Sequence, residues 1–291
     1  MIIWLASYPK SGNTWLRTII SQLLYKNLNY EEVLEESRKI RLYPSKIDFL
    51  DLDEDFKLPV YPDEKKKLIL DKTIINWEAS QSKLNLDKKL RILKTHNMLC
   101  KLKIKNDFYT FTNLENTLGV IHIVRDPRNI FTSLVNHFSF ESDEKALEFI
   151  FNDNQTVGIE ENTIPQLLSS WNNHYNSWKR FPKNNILIKY ENLILDPKKE
   201  ILKLTQYLKQ FFELSYSDIE LDQILHNSSF ENLKNLEEKG LFKENALNKD
   251  NVTKKFFYLG KKNDWKKLLD KKVSEALEKN FKKEMLELGY L

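Results

Sequence analysis

Apolar and polar positions alternate along this chain in blocks whose periods separate strands from helices. Met1-Ile2-Ile3-Trp4-Leu5-Ala6 is a short unbroken apolar run ended by turn residues, which predicts a buried strand. Ser7 to Gly12 then reads as a loop, with Asn13 or Thr14 placed to cap a helix over 14–26 that carries Trp15, Ile19, Leu23 and Leu24 on one face. Residues 27–62, with Pro44, Pro59 and Pro62, read as loop and short helix. A charged helix over 63–72 leads to a second strand at Arg91-Ile-Leu-Lys94. Gly119-Val-Ile-His-Ile-Val124 is a third strand, rich in β-branched residues, and Pro127 opens the next helix at a position where its missing N–H costs nothing. The spacing predicts one long amphipathic helix over Ile164–Arg180, a fourth strand at Asn185-Ile-Leu-Ile-Lys189, then helices near 197–211, 217–225, 229–238 and 271–287. The polar connection at 240–263 is the candidate lid. Strands alternating with helices predict an α/β domain spanning 1–291, a parallel β-sheet core flanked by helices on both faces.

Composition narrows the functional classes. A net charge of +4 on 291 residues is too small for a dedicated nucleic-acid binder. The lone Cys100 excludes an internal disulfide and fits a reducing compartment. No apolar run approaches a membrane span, and the start of the chain has no basic segment of a signal peptide, so a cytoplasmic protein is expected. Only seven of the 46 basic residues are Arg, and two of these, Arg125 and Arg128, fall in one short segment. Gly is scarce, 6 in all, so each one invites a backbone reason.

The first thirty residues carry the clearest chemistry. A strand that turns into a helix N-terminus collects unpaired backbone N–H groups, and the helix dipole adds partial positive charge. Such a corner binds a phosphate-like anion. In Ser7-Tyr-Pro-Lys-Ser-Gly-Asn-Thr14-Trp15, Gly12 admits a close backbone approach, Lys10 supplies a mobile cation, and Asn13 and Thr14 add side-chain donors. Lys10 precedes Gly12, so the segment is no Walker A loop, and Mg²⁺-dependent phosphate chemistry is disfavoured. Arg125 follows the third strand, at the end where open α/β sheets bind ligands, and its planar fork suits phosphate oxygens; Ser133 lies on the helix beyond it. Of the five histidines only His96 emerges directly from the end of a predicted strand, where imidazole can take a proton near neutral pH. His122 alternates inside an apolar strand and reads as core.

Tyr8-Pro9-Lys10-Ser11-Gly12-Asn13-Thr14-Trp15 resembles the P-K-S-G-[TN]-T-W loop of sulfotransferases that use 3′-phosphoadenosine 5′-phosphosulfate (PAPS), of the cytosolic and bacterial-like kind, and the resemblance recurs along nearly the whole chain. It implies that Lys10, Ser11, Gly12, Asn13 and Thr14 hold the 5′-phosphosulfate, and that Arg125 with Ser133 holds the 3′-phosphate. Lys94-Thr95-His96 is similar to the family's K-T-H, which implies His96 as general base, with Lys94 assisting at the sulfuryl group. Ser228-Ser229-Phe230 resembles its T-S-F, implying adenine held between Phe230 and Trp15 with Ser228 as a polar contact. Tyr190 in Tyr190-Glu191-Asn192-Leu193 resembles the tyrosine that approaches adenine.

The family's R-K-G-x-x-G-D-W-K becomes Tyr258-Leu259-Gly260-Lys261-Lys262-Asn263-Asp264-Trp265-Lys266, so an Arg for the 3′-phosphate is missing and Lys261, or Lys254 and Lys255, stands as its replacement. Leu269-Asp270-Lys271 replaces the dimer motif of many animal members, so no oligomeric state is implied. The resulting expectation is metal-free sulfuryl transfer from PAPS, leaving 3′-phosphoadenosine 5′-phosphate (PAP), to a small-molecule, glycan or lipid head-group acceptor, with no nucleic-acid partner. A nucleotide kinase or a non-catalytic nucleotide-binding module are its rivals. The segments near 27–62, 97–112, 139–163 and 240–256 are expected to build the acceptor pocket, with Tyr43, Phe49, Phe108, Tyr109, Phe111, Phe138, Phe140 and Phe151 as apolar walls. The acids at 51–55 and 141–148 are either contacts for a cationic acceptor or solvated faces.

Overall fold

A six-residue strand with every side chain buried must lie inside a sheet, and β1 (Ile2–Ser7) does. The computed structural model describes residues 1–25, 28–160, 163–242, 255–257 and 259–291. β2 (Arg91–Thr95) pairs with β1 in parallel, Ile2 opposite Arg91 through Ala6 opposite Thr95. A hairpin follows, β3 (Lys101–Ile104) antiparallel to β4 (Asp107–Thr110). Next come β5 (Thr117–Val124), a short antiparallel pair, β6 (Thr156–Val157) with β7 (Gln166–Leu167), and finally β8 (Asn185–Lys189). The central parallel sheet runs β2-β1-β5-β8. Two internal strands, β1 and β5, are almost wholly apolar, as strands covered on both faces must be.

The chain packs as two units. The first holds residues 1–8, 41–122 and 149–187. Its core is aromatic: Phe111 lies 5.1 Å from Trp4, 5.3 Å from Trp77 and 5.8 Å from Trp178, ring centre to ring centre. Each such side chain removes enough apolar surface from water to contribute roughly 1.5–3 kcal/mol. Tyr43, Phe49 and Phe111, expected as acceptor-pocket walls, are fully buried in this cluster, while Phe108 is largely exposed. Asp53 and Asp55 pair with Lys72, Asp55 also with Lys65, and Asp51 with Lys83, so the acids at 51–55 serve the unit's own lysines.

The charged helix expected over 63–72 runs from Asp63 to Leu84, because Ile69, Thr73, Trp77 and Ser80 continue a buried stripe at helical spacing. The long helix expected over Ile164–Arg180 does not form. Its first half is β7 and an irregular turn with Ser169 at φ 61°, and only Trp171–Lys179 is helical. Pro165 disfavours a helix at Ile164, and the backbone of Leu167 is taken by another partner: its N–H donates to Asn97 Oδ1 at 2.8 Å and its carbonyl accepts from Met98 N–H at 2.8 Å.

The second unit holds residues 9–40, 123–148 and 188–291. It contains helices α1 (Asn13–Leu24), α2 (Tyr30–Ser37), α3 (Pro127–Phe138), α4 (Tyr190–Leu195), α5 (Pro197–Leu208), α6 (Asp218–Asn227), α7 (Phe230–Glu238), a single turn α8 (Trp265–Leu268) and α9 (Lys271–Leu288). Leu34, Leu233, Leu236, Phe242 and Phe257 form a core against which Trp15, Phe230 and Phe256 pack. His96, the loop from Tyr8, Arg125 and Tyr190 each follow directly on the C-terminal end of a sheet strand.

Candidate active site

In the first unit, the turn after β2 fixes an imidazole. His96 Nδ1 lies 2.7 Å from the Ser7 carbonyl oxygen and 3.2 Å from Ser7 Oγ. A carbonyl can only accept, so Nδ1 carries the proton and Nε2 is the unprotonated ring nitrogen. The His96 N–H donates to Gln166 Oε1 at 2.8 Å, which is where the residues of the missing helix are spent. Behind His96, the buried His174 ring bonds the His96 backbone, and burial pulls its pKa down to about 3, so it stays neutral. Its neighbour His122 is buried and likewise held neutral by desolvation, as the alternation in β5 predicts. Lys94 is half-buried in β2; its main chain pairs with Arg41 and Tyr43.

In the second unit, the loop after β1 enters α1 through Gly12, which is itself the N-cap at φ 97°. Asn13 and Thr14 are therefore in the first turn and not caps, and the first-turn amides of α1 have no helical partner to bond. The reason for Gly12 is visible: a Cβ there would lie 2.4 Å from Tyr190 Cδ2 and 2.8 Å from Cε2. Gly12→Ala combines that clash with a left-handed backbone, and is expected to cost roughly 2–4 kcal/mol. Thermal melts should show it as a loss of roughly 4–8 °C; an unchanged melting temperature would contradict this account of the corner.

Lys10 occupies the left-handed region at φ 67° and is not the mobile cation expected of it. Its ammonium sits 4.4 Å from the centre of the Phe256 ring. Desolvation, reinforced by the Arg125 guanidinium and opposed by Glu237, pulls its pKa down to about 8. Glu237 also holds Phe256 in place, accepting the backbone N–H of Phe256 on one carboxylate oxygen and that of Phe257 on the other at 2.9 Å. Phe256 and Glu237 carry no signal in the sequence, since a Phe in a polar stretch and a Glu on an amphipathic helix are both unremarkable.

Arg125 Nη1 donates to the Lys10 carbonyl oxygen at 3.0 Å, and the guanidinium lies over Tyr190, 4.1 Å from the ring centre. Trp15 meets the same tyrosine edge-on at 5.6 Å. Tyr190 is thus a floor shared by Gly12, Trp15 and Arg125. Ser133 is half-buried on α3, and Ser228 is buried with its hydroxyl donating to the Ile224 carbonyl at 2.7 Å. Gly260, at φ 53°, abuts Phe230, whose ring would lie 2.5 Å from an added Cβ. Phe230 and Trp15 line one apolar cluster. Tyr258, Lys254 and the Lys261 side chain lie outside the described residues, as does most of the expected lid; Lys255 lies 3.9 Å from Glu238. Arg128 is buried in an ion pair with Asp126 at 2.7 Å.

Ser11 Oγ, Trp15 Nε1 and Arg125 Nε are buried with no hydrogen-bond partner among the described residues. Orphaned donors of this kind are costly unless a ligand or water accepts from them. Together with the first-turn amides, Lys10 and Arg125, they fit a phosphorylated anion. Among the described residues no group of three or more His, Cys, Asp or Glu is arranged to hold a metal, and no helix is long and apolar enough to cross a membrane.

The chain matches the family model of the sulfotransferase domain over residues 2–289. Sulfotransferase 1B1 of Canis lupus familiaris is 26% identical, covering 97% of this chain and 83% of that protein. Cytosolic sulfotransferase 8 of Arabidopsis thaliana is also 26% identical, over 95% and 74%. In fold, a mouse sulfotransferase complexed with PAP superposes with a TM-score of 0.56 at 19% identity, covering 98% of this chain and 84% of that one.

Proposed function

From the premise that this chain belongs to the sulfotransferase domain family and is a sulfotransferase, we propose that it transfers a sulfuryl group from PAPS to a hydroxyl or amine of a small acceptor by in-line displacement, with His96 as general base. The observation that carries this reading is the corner at Lys10–Trp15, where buried donors with no partner among the described residues meet two cations and a helix N-terminus.

His96 Nε2, left basic by the Nδ1 bond to Ser7, takes the acceptor's proton as the acceptor oxygen or nitrogen bonds to sulfur. The bond from sulfur to the bridging phosphate oxygen breaks, and its electron pair leaves on PAP. Lys10 neutralises the charge growing on that oxygen. The amides of Ser11 to Thr14 hold the 5′ end and Arg125, with Ser133, the 3′-phosphate. Phe230, Trp15 and Tyr190, with Ser228 and Gly260 beside them, form the adenosine pocket. Lys94 assists at the sulfuryl group, and Lys261 supplies charge where the family has an additional Arg. The protein's contribution is position and electrostatics, as in other group transfers from a nucleotide.

The test is transfer from ³⁵S-labelled PAPS in the presence of EDTA, with a panel of phenols, alcohols, amines, glycans and lipid head groups. Label is expected on a small acceptor, with PAP formed in equal amount. Transfer that needs Mg²⁺ would favour a kinase-like reaction. PAP binding without turnover on any acceptor would favour a non-catalytic module.

A further inference from the structure

Arg125 is held by more than its own contacts. The N–H of the next residue, Asp126, donates to Glu191 Oε1 at 2.9 Å. Glu191 Oε2 accepts the hydroxyl of Tyr290 at 3.0 Å. The Tyr290 carbonyl in turn accepts Arg128 Nη2 at 2.6 Å, and Arg128 returns to the Asp126 carboxylate through Nη2 at 2.7 Å and Nε at 3.0 Å. The circuit Asp126–Glu191–Tyr290–Arg128–Asp126 is closed. It encloses the peptide that follows Arg125 and the residue after Tyr190, on whose ring the Arg125 guanidinium lies.

The circuit is anchored from outside. Arg128 also pairs with Glu278 at 2.6 Å and stacks on Trp265 at 3.8 Å. The Tyr290 ring lies under Lys189, 4.8 Å away, and Lys189 bonds the Leu288 carbonyl. Gly289, at φ 69°, turns the chain out of α9 so that Tyr290 can reach back. A surface tyrosine after a terminal helix would normally float. Here its hydroxyl is buried on a carboxylate that is itself desolvated, with its pKa raised by burial, so the bond forms in a low-dielectric setting where geometry is enforced.

We propose that Tyr290 is a positioning residue for nucleotide recognition: through Glu191 it fixes the Asp126 peptide and thereby aims Arg125 at the 3′-phosphate. The proposal rests on the reading of Arg125 as the 3′-phosphate ligand. Tyr290 touches no proposed substrate atom.

The experiment compares PAP with adenosine 5′-phosphate, which lacks the 3′-phosphate, by titration calorimetry. Wild-type protein should prefer PAP. Tyr290→Phe, which removes only the hydroxyl, should weaken PAP about tenfold, leave adenosine 5′-phosphate unchanged, and raise the PAPS KM with kcat nearly constant. Glu191→Gln keeps an acceptor for Asp126 N–H and a partner for Tyr290 and should stay within about threefold of wild type, whereas Glu191→Ala should behave like Tyr290→Phe. In an Arg125→Ala background Tyr290→Phe should change nothing further. Equal weakening of both nucleotides, unchanged PAP affinity, or additive losses with Arg125→Ala would overturn the proposal. Glu191→Ala supplies the same readout should Tyr290→Phe melt early. If wild-type protein does not distinguish the two nucleotides, it is the assignment of Arg125 that fails.

Discussion

His96→Ala is expected to lower kcat for sulfuryl transfer by roughly 10²–10⁴-fold while PAP binds within about twofold of wild type. The two halves of the expectation have separate physical origins. General-base catalysis acts only on the proton of the acceptor, so its loss appears in turnover. Every side chain assigned to the nucleotide lies in residues 9–40, 123–148 and 188–291, whereas His96 and its contacts with Ser7, Gln166 and His174 belong to residues 1–8, 41–122 and 149–187. The variant loses the Nδ1 contacts with the Ser7 carbonyl and hydroxyl, so roughly 1–3 kcal/mol of stability is at stake and the fold should hold. Initial rates with labelled PAPS and calorimetry with PAP read the two halves independently. Simultaneous loss of turnover and PAP affinity would remove His96 from the role of base and make it a structural residue.

The sheet strands were legible because a buried parallel strand needs a short apolar run, and each of the four central strands has one: β1, β2, β5 and β8 fall within two residues of the expected limits. The corner at Gly12 was legible for the same kind of reason, since few residue orders place Lys, Gly and Thr at a helix start. The segment 164–180 was misread because its apolar spacing is helical while its backbone is spoken for. Gln166 and Leu167 serve the turn after β2, a partnership about 70 residues away in sequence that no local pattern encodes. The hairpin of β3 and β4 escaped because it turns at Lys105, φ 54°, without the Asn-Gly or Asp-Gly that marks such turns. Tyr43, Phe49 and Phe111 look like pocket aromatics in irregular sequence, yet they pack on Trp4 and one another and leave no surface for an acceptor. Lys10 shows the deepest gap between the two levels. The motif supplies the residue, but its posture on Phe256 depends on Glu237, a helix away.

That posture sets the second large effect. Lys10→Met should reduce kcat by roughly 10²–10³-fold, the loss typical when one preorganised partner of a developing oxyanion is removed, and should weaken PAP as well. The pH dependence carries the sharper test. Free Lys10 has its pKa pulled from 10.5 to about 8 by burial, so the protein without nucleotide releases this proton near pH 8. A bound polyanion favours the charged amine, so nucleotide binding takes a proton up. PAP affinity should therefore be flat below about pH 8 and fall above it, by up to tenfold per pH unit, and Lys10→Met should abolish this slope. Stability runs the other way. Between about pH 8 and the ordinary lysine range the unfolded chain binds the Lys10 proton and the folded one does not, so the penalty for the desolvated charge is present below pH 8 and fades as pH rises. At pH 7 the Met variant, whose thioether can lie on the Phe256 ring as the ammonium does, should melt above wild type, and the gap should close toward pH 10. Wild-type affinity that stays level from pH 7 to 9.5, or a Met variant that melts below wild type at pH 7, would show that Lys10 is not held as a strained, desolvated cation awaiting an anion.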